Sequence, residues 1–405
     1  MPKNNTCAQN PPYGKLAILW LAGWTLRVPI LATPPLATRM AESFRLGDPG
    51  VGALTMLPII AVAFGAVPAA WIVYRLGVRA AIAGGIAVMV LASMARGQAP
   101  SATFLFTTSF VMGLGVALFQ TALPLATRVW TPTHVALGSA VYLNGMMLGE
   151  LSAAGLTLPL VLPLAGDDWR LALVIWAVPV SLIAVLVMLA PLPTERGGAP
   201  LNQPPGTAAG GSLPRWDDGR VWQLGLLLGG SVVAFFVVNA YAGTLLQARN
   251  ETEALKGLLF SYNAMPLMAS FLILKAPHWI GSRGPIAVFA LLAAGGMGGF
   301  IVLESWASWI SALVVGFAAT AQLILLTSLP PYIATGAAVT RLSAGMTLIG
   351  FTTAFLLTWL GGWVAEAVGS TGSALLPAFG FMIVTLVVIG RAGRYSRYGL
   401  SLIHI

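Results

Sequence analysis

The chain carries a single cysteine, three histidines and twelve acidic residues. With only Cys7, an intramolecular disulfide is excluded. His134, His278 and His404 are scattered, no His-Glu-x-x-His run occurs, and Cys7 has no neighbouring histidine. A zinc helix and a Cys–His nucleophile are therefore both excluded. Serine and threonine are abundant, but none stands beside a recognisable base, so no enzyme activity and no cofactor are expected. Charge is the largest deficit: 8% of residues are charged against 58% hydrophobic. A soluble domain with so little polar surface would not stay dispersed, and lipid is the expected solvent for most of the chain.

What is present is a series of twelve strongly apolar stretches, six on each side of a Pro/Gly-rich break near residue 205. A hydrocarbon core of about 30 Å needs roughly 20 apolar residues at helical rise. The first stretch, Lys15 to Ala37, has that length with one internal charge. The others are expected at about 50–74, 78–96, 102–127, 136–162, 170–190, 221–246, 256–275, 285–303, 308–328, 342–364 and 372–390. Continuous runs rich in Leu, Ala and Gly favour helices over the alternating segments of a barrel. The expected fold class is an all-α polytopic membrane protein of twelve transmembrane helices. The first run is too long for a cleavable signal and lacks a small-residue cleavage site, so it is expected to remain as a span.

Lysine and arginine mark the cytoplasmic loops. With the N-terminus inside, fourteen of the 21 fall on cytoplasmic segments, from Lys3, Lys15, Arg75, Arg79 and Arg128 to Arg391, Arg394 and Arg397. The outside loops instead hold Asp48, Asp167, Asp168, Glu251, Glu253 and Glu304. The net charge of +9 thus reflects orientation, not nucleic-acid binding, and both termini are expected to be cytoplasmic.

Residues 191–219 interrupt the hydrophobic pattern with prolines, glycines and the charged Glu195, Arg196, Arg215, Asp217 and Asp218. They read as a cytoplasmic linker between a first half, 1–190, and a second, 220–405. Halves joined this way suggest a repeat whose members move as bodies around a midplane site. A faint echo accompanies it: Gly113 and Gln120 in the fourth span, Gly316 and Gln322 in the tenth, about 200 residues apart.

Arg27 lies about twelve residues into the first span, near the bilayer centre. A guanidinium there cannot lose its proton and costs at least ~3 kcal/mol, so it faces protein or water. Its planar fork of donors suits an anion. Trp20, Trp24 and Arg27 share one helix face, with cation–π contact a means of holding Arg27. Either Arg27 meets a solute, or it pairs with an internal carboxylate. Glu150, in the fifth span, is the one acid deep within a predicted helix. It has three open roles: a proton site, a partner for Arg27, or a packing hydrogen bond beside Gly138, Gly145 and Gly149. Gln120, Asn144, Asn239, Tyr241, Tyr262, Asn263 and Gln322 are further polar groups at membrane depth, each able to touch solute or to bond between helices. Pro29, Pro34 and Pro35 in the first span, Pro124 in the fourth and Pro266 in the eighth predict kinks or unwinding.

In span number, linker position and orientation the chain resembles the major facilitator superfamily over nearly its whole length. That family shows a Gly-x-x-x-Asp-Arg-x-Gly-x-Arg run between its second and third spans. Here Arg75, Gly77 and Arg79 match, and Tyr74 stands in place of the Asp. Within the superfamily the first span is similar to the cyanate and 2-nitroimidazole permease branch, whose Leu-Arg-Pro run and Pro-Leu pair correspond to Leu26-Arg27-Val28-Pro29 and Pro34-Pro35-Leu36, as does Ala136-Leu137-Gly138-Ser139 opening the fifth. The resemblance implies two six-helix halves in a bacterial inner membrane, cycling between inward-open and outward-open states as symporter or antiporter. It also implies a small anionic or polar organic solute. Arg27 is then expected to bind the anionic group, with Glu150 as counter-ion or proton site. The alternative is a proton-coupled exporter of neutral or cationic compounds that relies on Glu150.

Overall fold

The structure, a computed structural model, describes residues 12–190, 214–334 and 337–395. Lys3, Cys7, Arg196, Arg397, His404 and positions 191–213 of the expected linker lie outside the described residues. The described chain contains helices and turns and no strand. The principal helices are α1 (Tyr13–Leu31), α2 (Asp48–Val73), α3 (Arg75–Arg96), α4 (Ala102–Trp130), α5 (Val135–Leu156) and α6 (Trp169–Leu189). They are followed by α7 (Gly219–Ala248), α8 (Ala254–Lys275), α9 (Arg283–Val302), α10 (Ser305–Thr327), α11 (Ala337–Val368) and α12 (Leu376–Tyr395). Eleven helices among the described residues are long and apolar enough to cross a membrane, and the apolar stretch at the last, Thr371–Val387, is shorter.

Polar side chains start helices where the apolar runs begin. Ser101, Asp168 and Asp218 accept hydrogen bonds from the free backbone N–H groups of Phe104, Arg170 and Arg220. Between helices the core is dominated by Ala, Leu and Val, while Leu182, Leu189, Leu274, Leu291 and Val302 stay exposed on the outside. A surface of that kind is stable against acyl chains and not against water. Just inside α3 the backbone leaves helical geometry at Gly77, whose φ of 83° is left-handed and costs glycine nothing. The Arg75 guanidinium beside it lies over Trp71, 5.4 Å from the ring centre.

The expected unwinding falls at Pro34 and Pro35 and not at the other prolines. Pro29 stays within α1, which ends at Leu31. Pro34–Leu36 then form a 3-10 turn leading into a short helix, Ala37–Phe44. Pro34 and Pro35 have no N–H to continue the ladder, so the break falls there. Helices α4 and α8 run through Pro124 and Pro266 without unwinding. Each proline lacks the N–H for one backbone bond, and the helix continues on either side of it.

Helix α1 packs on α5, α7 on α11, and α10 on α8 and α9. The first six helices meet the last six along two seams, α2 with α11 and α5 with α8. The seams are tight at the end of the bundle where α1 finishes and α2 begins, the far end. There a Cβ on Gly362 would overlap Pro49 of α2, and one on Gly155 would sit 2.7 Å from the Phe260 ring of α8.

Candidate functional site

The α1–α5 contact places the site. A Cβ on Gly23 would overlap the Tyr142 carbonyl, and one on Gly145 the carbonyl of Trp20. Glycine from both helices lets the backbones touch, so side chains flanking the contact meet across it. Trp20 Nε1 donates to Asn144 Oδ1 at 3.0 Å, and Trp24 Nε1 to Ser152 Oγ at 3.0 Å. One turn further, Arg27 Nε lies 3.3 Å from Glu150 Oε1. The Arg27 stem rests on Gly149, where a Cβ would come within 3.2 Å of it. The Trp24 ring also packs on Trp176 of α6, centroids 6.2 Å apart.

The pairing leaves much of the guanidinium unused. Nε is sealed and makes no hydrogen bond, while the side chain as a whole keeps 20% exposure and Glu150 13%. Glu150 is the partner of Arg27 among the described residues, so both terminal amino groups retain their donors. Contrary to expectation, neither Trp20 nor Trp24 stacks on Arg27. The cation–π contacts among the described residues belong to Arg75 and Arg170. The indole N–H groups are drawn to Asn144 and Ser152 on α5, which turns the rings away.

Exposure along α1 has a direction. Ala17, Trp20, Trp24 and Arg27 keep accessible surface at helical spacing, and every residue from Val28 to Ala37 is buried. On α5, Glu150 to Ser152 are accessible and Ala153 to Gly155 are buried. Arg27 thus carries the last accessible surface of α1 before a stretch in which every residue is buried.

A family model described as Major Facilitator Superfamily matches residues 18–339. The chain belongs to that superfamily. It is 28% identical over 322 residues to the 2-nitroimidazole transporter of Escherichia coli (strain K12), covering 77% of this chain and 79% of that one. It is 22% identical over 327 residues to an uncharacterized transporter, YycB, of Bacillus subtilis (strain 168), covering 78% and 79%. The inward open conformation of the xylose transporter XylE from E. coli superposes with a TM-score of 0.75 at 14% identity, over 94% of this chain and 96% of that one. The protein is therefore a multi-pass membrane transporter of the major facilitator fold, not an enzyme.

Within this facilitator fold the remaining polar candidates separate. Gln120 is half-buried on α4 and Gln322 buried on α10. Asn263 Nδ2 donates to Asn239 Oδ1 at 3.0 Å and to the Leu259 carbonyl at 2.9 Å, while Asn263 Oδ1 is buried without a partner. Tyr262 stacks on Phe235 at 5.3 Å and donates to its carbonyl at 3.0 Å. Tyr241 reaches the far end, where its hydroxyl lies 2.8 Å from the Thr358 carbonyl of α11 and 3.2 Å from that of Asp48 at the start of α2. One hydroxyl from α7 thus bridges the α2–α11 seam. Tyr241→Phe removes only that oxygen, and it should weaken far-end closure by about 1 kcal/mol. The check is maleimide labelling of Thr38→Cys in a Cys7→Ser background, which should speed up in the variant; an unchanged rate would show that the hydroxyl bears no part of the closure.

Arg96 escaped the sequence reading, because an arginine ending an apolar run passes as a loop charge. It is 1% exposed. The available signal was that Gly97 and Gln98 bring no acid to pair with it.

Proposed function

We propose that the protein is a secondary active transporter for a small anionic or polar organic solute, which binds through the terminal amino groups of Arg27. The supporting observation is an arginine within a membrane-spanning segment, partly accessible and paired through Nε alone, with both terminal amino groups free of protein partners. Those donors form a planar fork suited to two acceptor oxygens, as in a carboxylate, nitrate or nitro group. Glu150 offsets the charge of Arg27, so neutral solutes with strong acceptors fit as well as anions. The 2-nitroimidazole transported by the E. coli relative is of that kind. Trp20, Trp24 and Asn144 flank the same face, and Gln120, Asn239, Asn263 and Gln322 are the candidates on other helices.

The coupling follows from the pair. A solute on the terminal amino groups competes with Glu150 for the charge of the guanidinium, and a proton on the carboxylate replaces what Glu150 loses. Solute and proton then cross together. Residues 1–190 and 220–405 are the two rocking halves, joined by 191–219, with both termini on the cytoplasmic side of a bacterial inner membrane. The end of the bundle where α1 begins then faces the cytoplasm, and the tightly packed far end is the outer gate.

Counterflow in proteoliposomes tests the function, with nitrate, cyanate, mono- and dicarboxylates and 2-nitroimidazole as competing solutes. Saturable exchange with one of these, lost in Arg27→Gln, is expected. Indifference to all of them, with proton-driven efflux of organic cations that depends on Glu150, would replace this reading by that of an exporter.

A further inference from the structure

The first transmembrane segment is broken where it should be most fragile. After Leu31 the chain enters Pro34–Leu36, and with no N–H on Pro34 or Pro35 the helical ladder cannot continue. The Thr33 N–H, which in an unbroken helix would bond to the Pro29 carbonyl, instead reaches Ile30 at 3.3 Å. The Pro29 carbonyl is left over inside the bundle.

Arg96, the last residue of α3, supplies what is missing. Its Nη1 donates to the Pro29 carbonyl at 2.8 Å, and Nη2 donates to the hydroxyl of Thr33. One planar group therefore holds the last turn of α1 and the first residue beyond its end. Nη1 also touches Met112 Sδ of α4 at 3.1 Å. The pocket beside the guanidinium, lined by Pro29, Ala32, Ser93, Leu173 and Trp176, brings no carboxylate. A buried cation without an acid is expensive unless other charge compensates. Here the C-terminal ends of α1 and α3 converge on it, each carrying about −0.5 of a charge, so the two together offset about one positive charge. A lysine, a point charge on a flexible stem, cannot make the same two-acceptor fork.

We infer that Arg96 is a positioning residue that splints the break in α1, so that the segment from Thr33 to Phe44 moves with the first six helices as one body. The far-end gate includes that segment, since Thr38 meets Gly243 of α7, where a Cβ would lie 3.0 Å from its Oγ1. With the splint the gate opens by rocking of the halves. Without it the segment flexes at Ala32–Pro35 and the gate opens locally, out of step with the rest of the bundle. The second six helices carry a related contact in which Arg249, capping α7, donates to the Phe300 and Ile301 carbonyls at the end of α9 at 3.2 and 2.8 Å. Helix α7 is unbroken up to Ala248, so that arginine ties two ends and bridges no gap.

The splint rests on the proposed alternation between two open states, but its deciding readout is a distance that involves no solute, so its failure is distinguishable from failure of the Arg27 site. Spin labels on Glu42→Cys in the short Ala37–Phe44 helix and Gln98→Cys in the turn after α3, both exposed, go into a Cys7→Ser background, and their separation is measured by double electron–electron resonance. The unaltered site should give one narrow distance, and Arg96→Met a broadened or second one. In counterflow the same variant should lose turnover with apparent affinity kept, because a bend remote from Arg27 alters the conformational step and not binding. Arg96→Lys should broaden the distance less than Arg96→Met. Should Arg96→Met fail to fold, Thr33→Val, which removes one acceptor at equal volume, should still broaden it. A narrow distance in Arg96→Met, or in Thr33→Val where only that variant folds, would overturn the inference.

Discussion

Gly145→Val should yield little folded transporter. The new Cβ overlaps the Trp20 carbonyl, a backbone atom that cannot rotate away, so α1 and α5 must separate. Overpacking of this kind ordinarily costs about 1–3 kcal/mol. Here the separation also threatens the Trp20–Asn144 bond at 3.0 Å and the Arg27–Glu150 contact at 3.3 Å, which lie one above another along the same crossing. The loss of monodisperse protein after extraction should therefore exceed what valine causes elsewhere. Gly295 is the control: it lies on the exposed face of α9 with open space around its Cα. Gly295→Ala should be tolerated and gain up to about 1 kcal/mol of helix propensity. If Gly145→Val and Gly295→Ala extract and elute alike, the close α1–α5 crossing is not what builds the site.

The second large effect is a rescue of stability without rescue of transport. Arg27→Gln leaves Glu150 unpaired in a largely buried position, and Glu150→Gln does the same to Arg27. Breaking a buried pair from one side costs about 3–5 kcal/mol, and the residual exposure of 20% and 13% places these changes toward the lower figure. The double variant removes both charges and should recover most of the thermal stability, because two neutral amides at that spacing can hydrogen-bond. Transport should stay absent in all three, since the fork is gone in one, the charge balance in another and both in the third. Additive destabilisation in the double variant would mean the two groups are not coupled.

Much of the architecture was legible in the sequence because a bilayer imposes one length and one polarity on every span. The twelve helices fall within a few residues of the apolar runs, and the glycines of the fifth span foretold a close helix contact without naming α1 as its partner. Sequence left three roles open for Glu150, and distance to a residue 123 positions away decides which group it touches. Three features were hidden for physical reasons. Tyr241 and Tyr262 look like solute ligands, yet their hydroxyls donate to backbone carbonyls, and carbonyls carry no sequence signature. Pro124 and Pro266 look like breaks, but each removes a single backbone bond and the helix continues on either side. Arg96 looks like an interfacial anchor, whereas its compensation comes from helix ends contributed by the fold.

The most direct test of the central claim is calorimetric titration of the best counterflow solute into the purified transporter and into the Arg27→Gln/Glu150→Gln double variant, which is expected to be folded. The site proposed at Arg27 predicts saturable binding with proton uptake in the first and no detectable heat in the second. Equal affinity in both proteins would contradict it and place the solute elsewhere in the bundle.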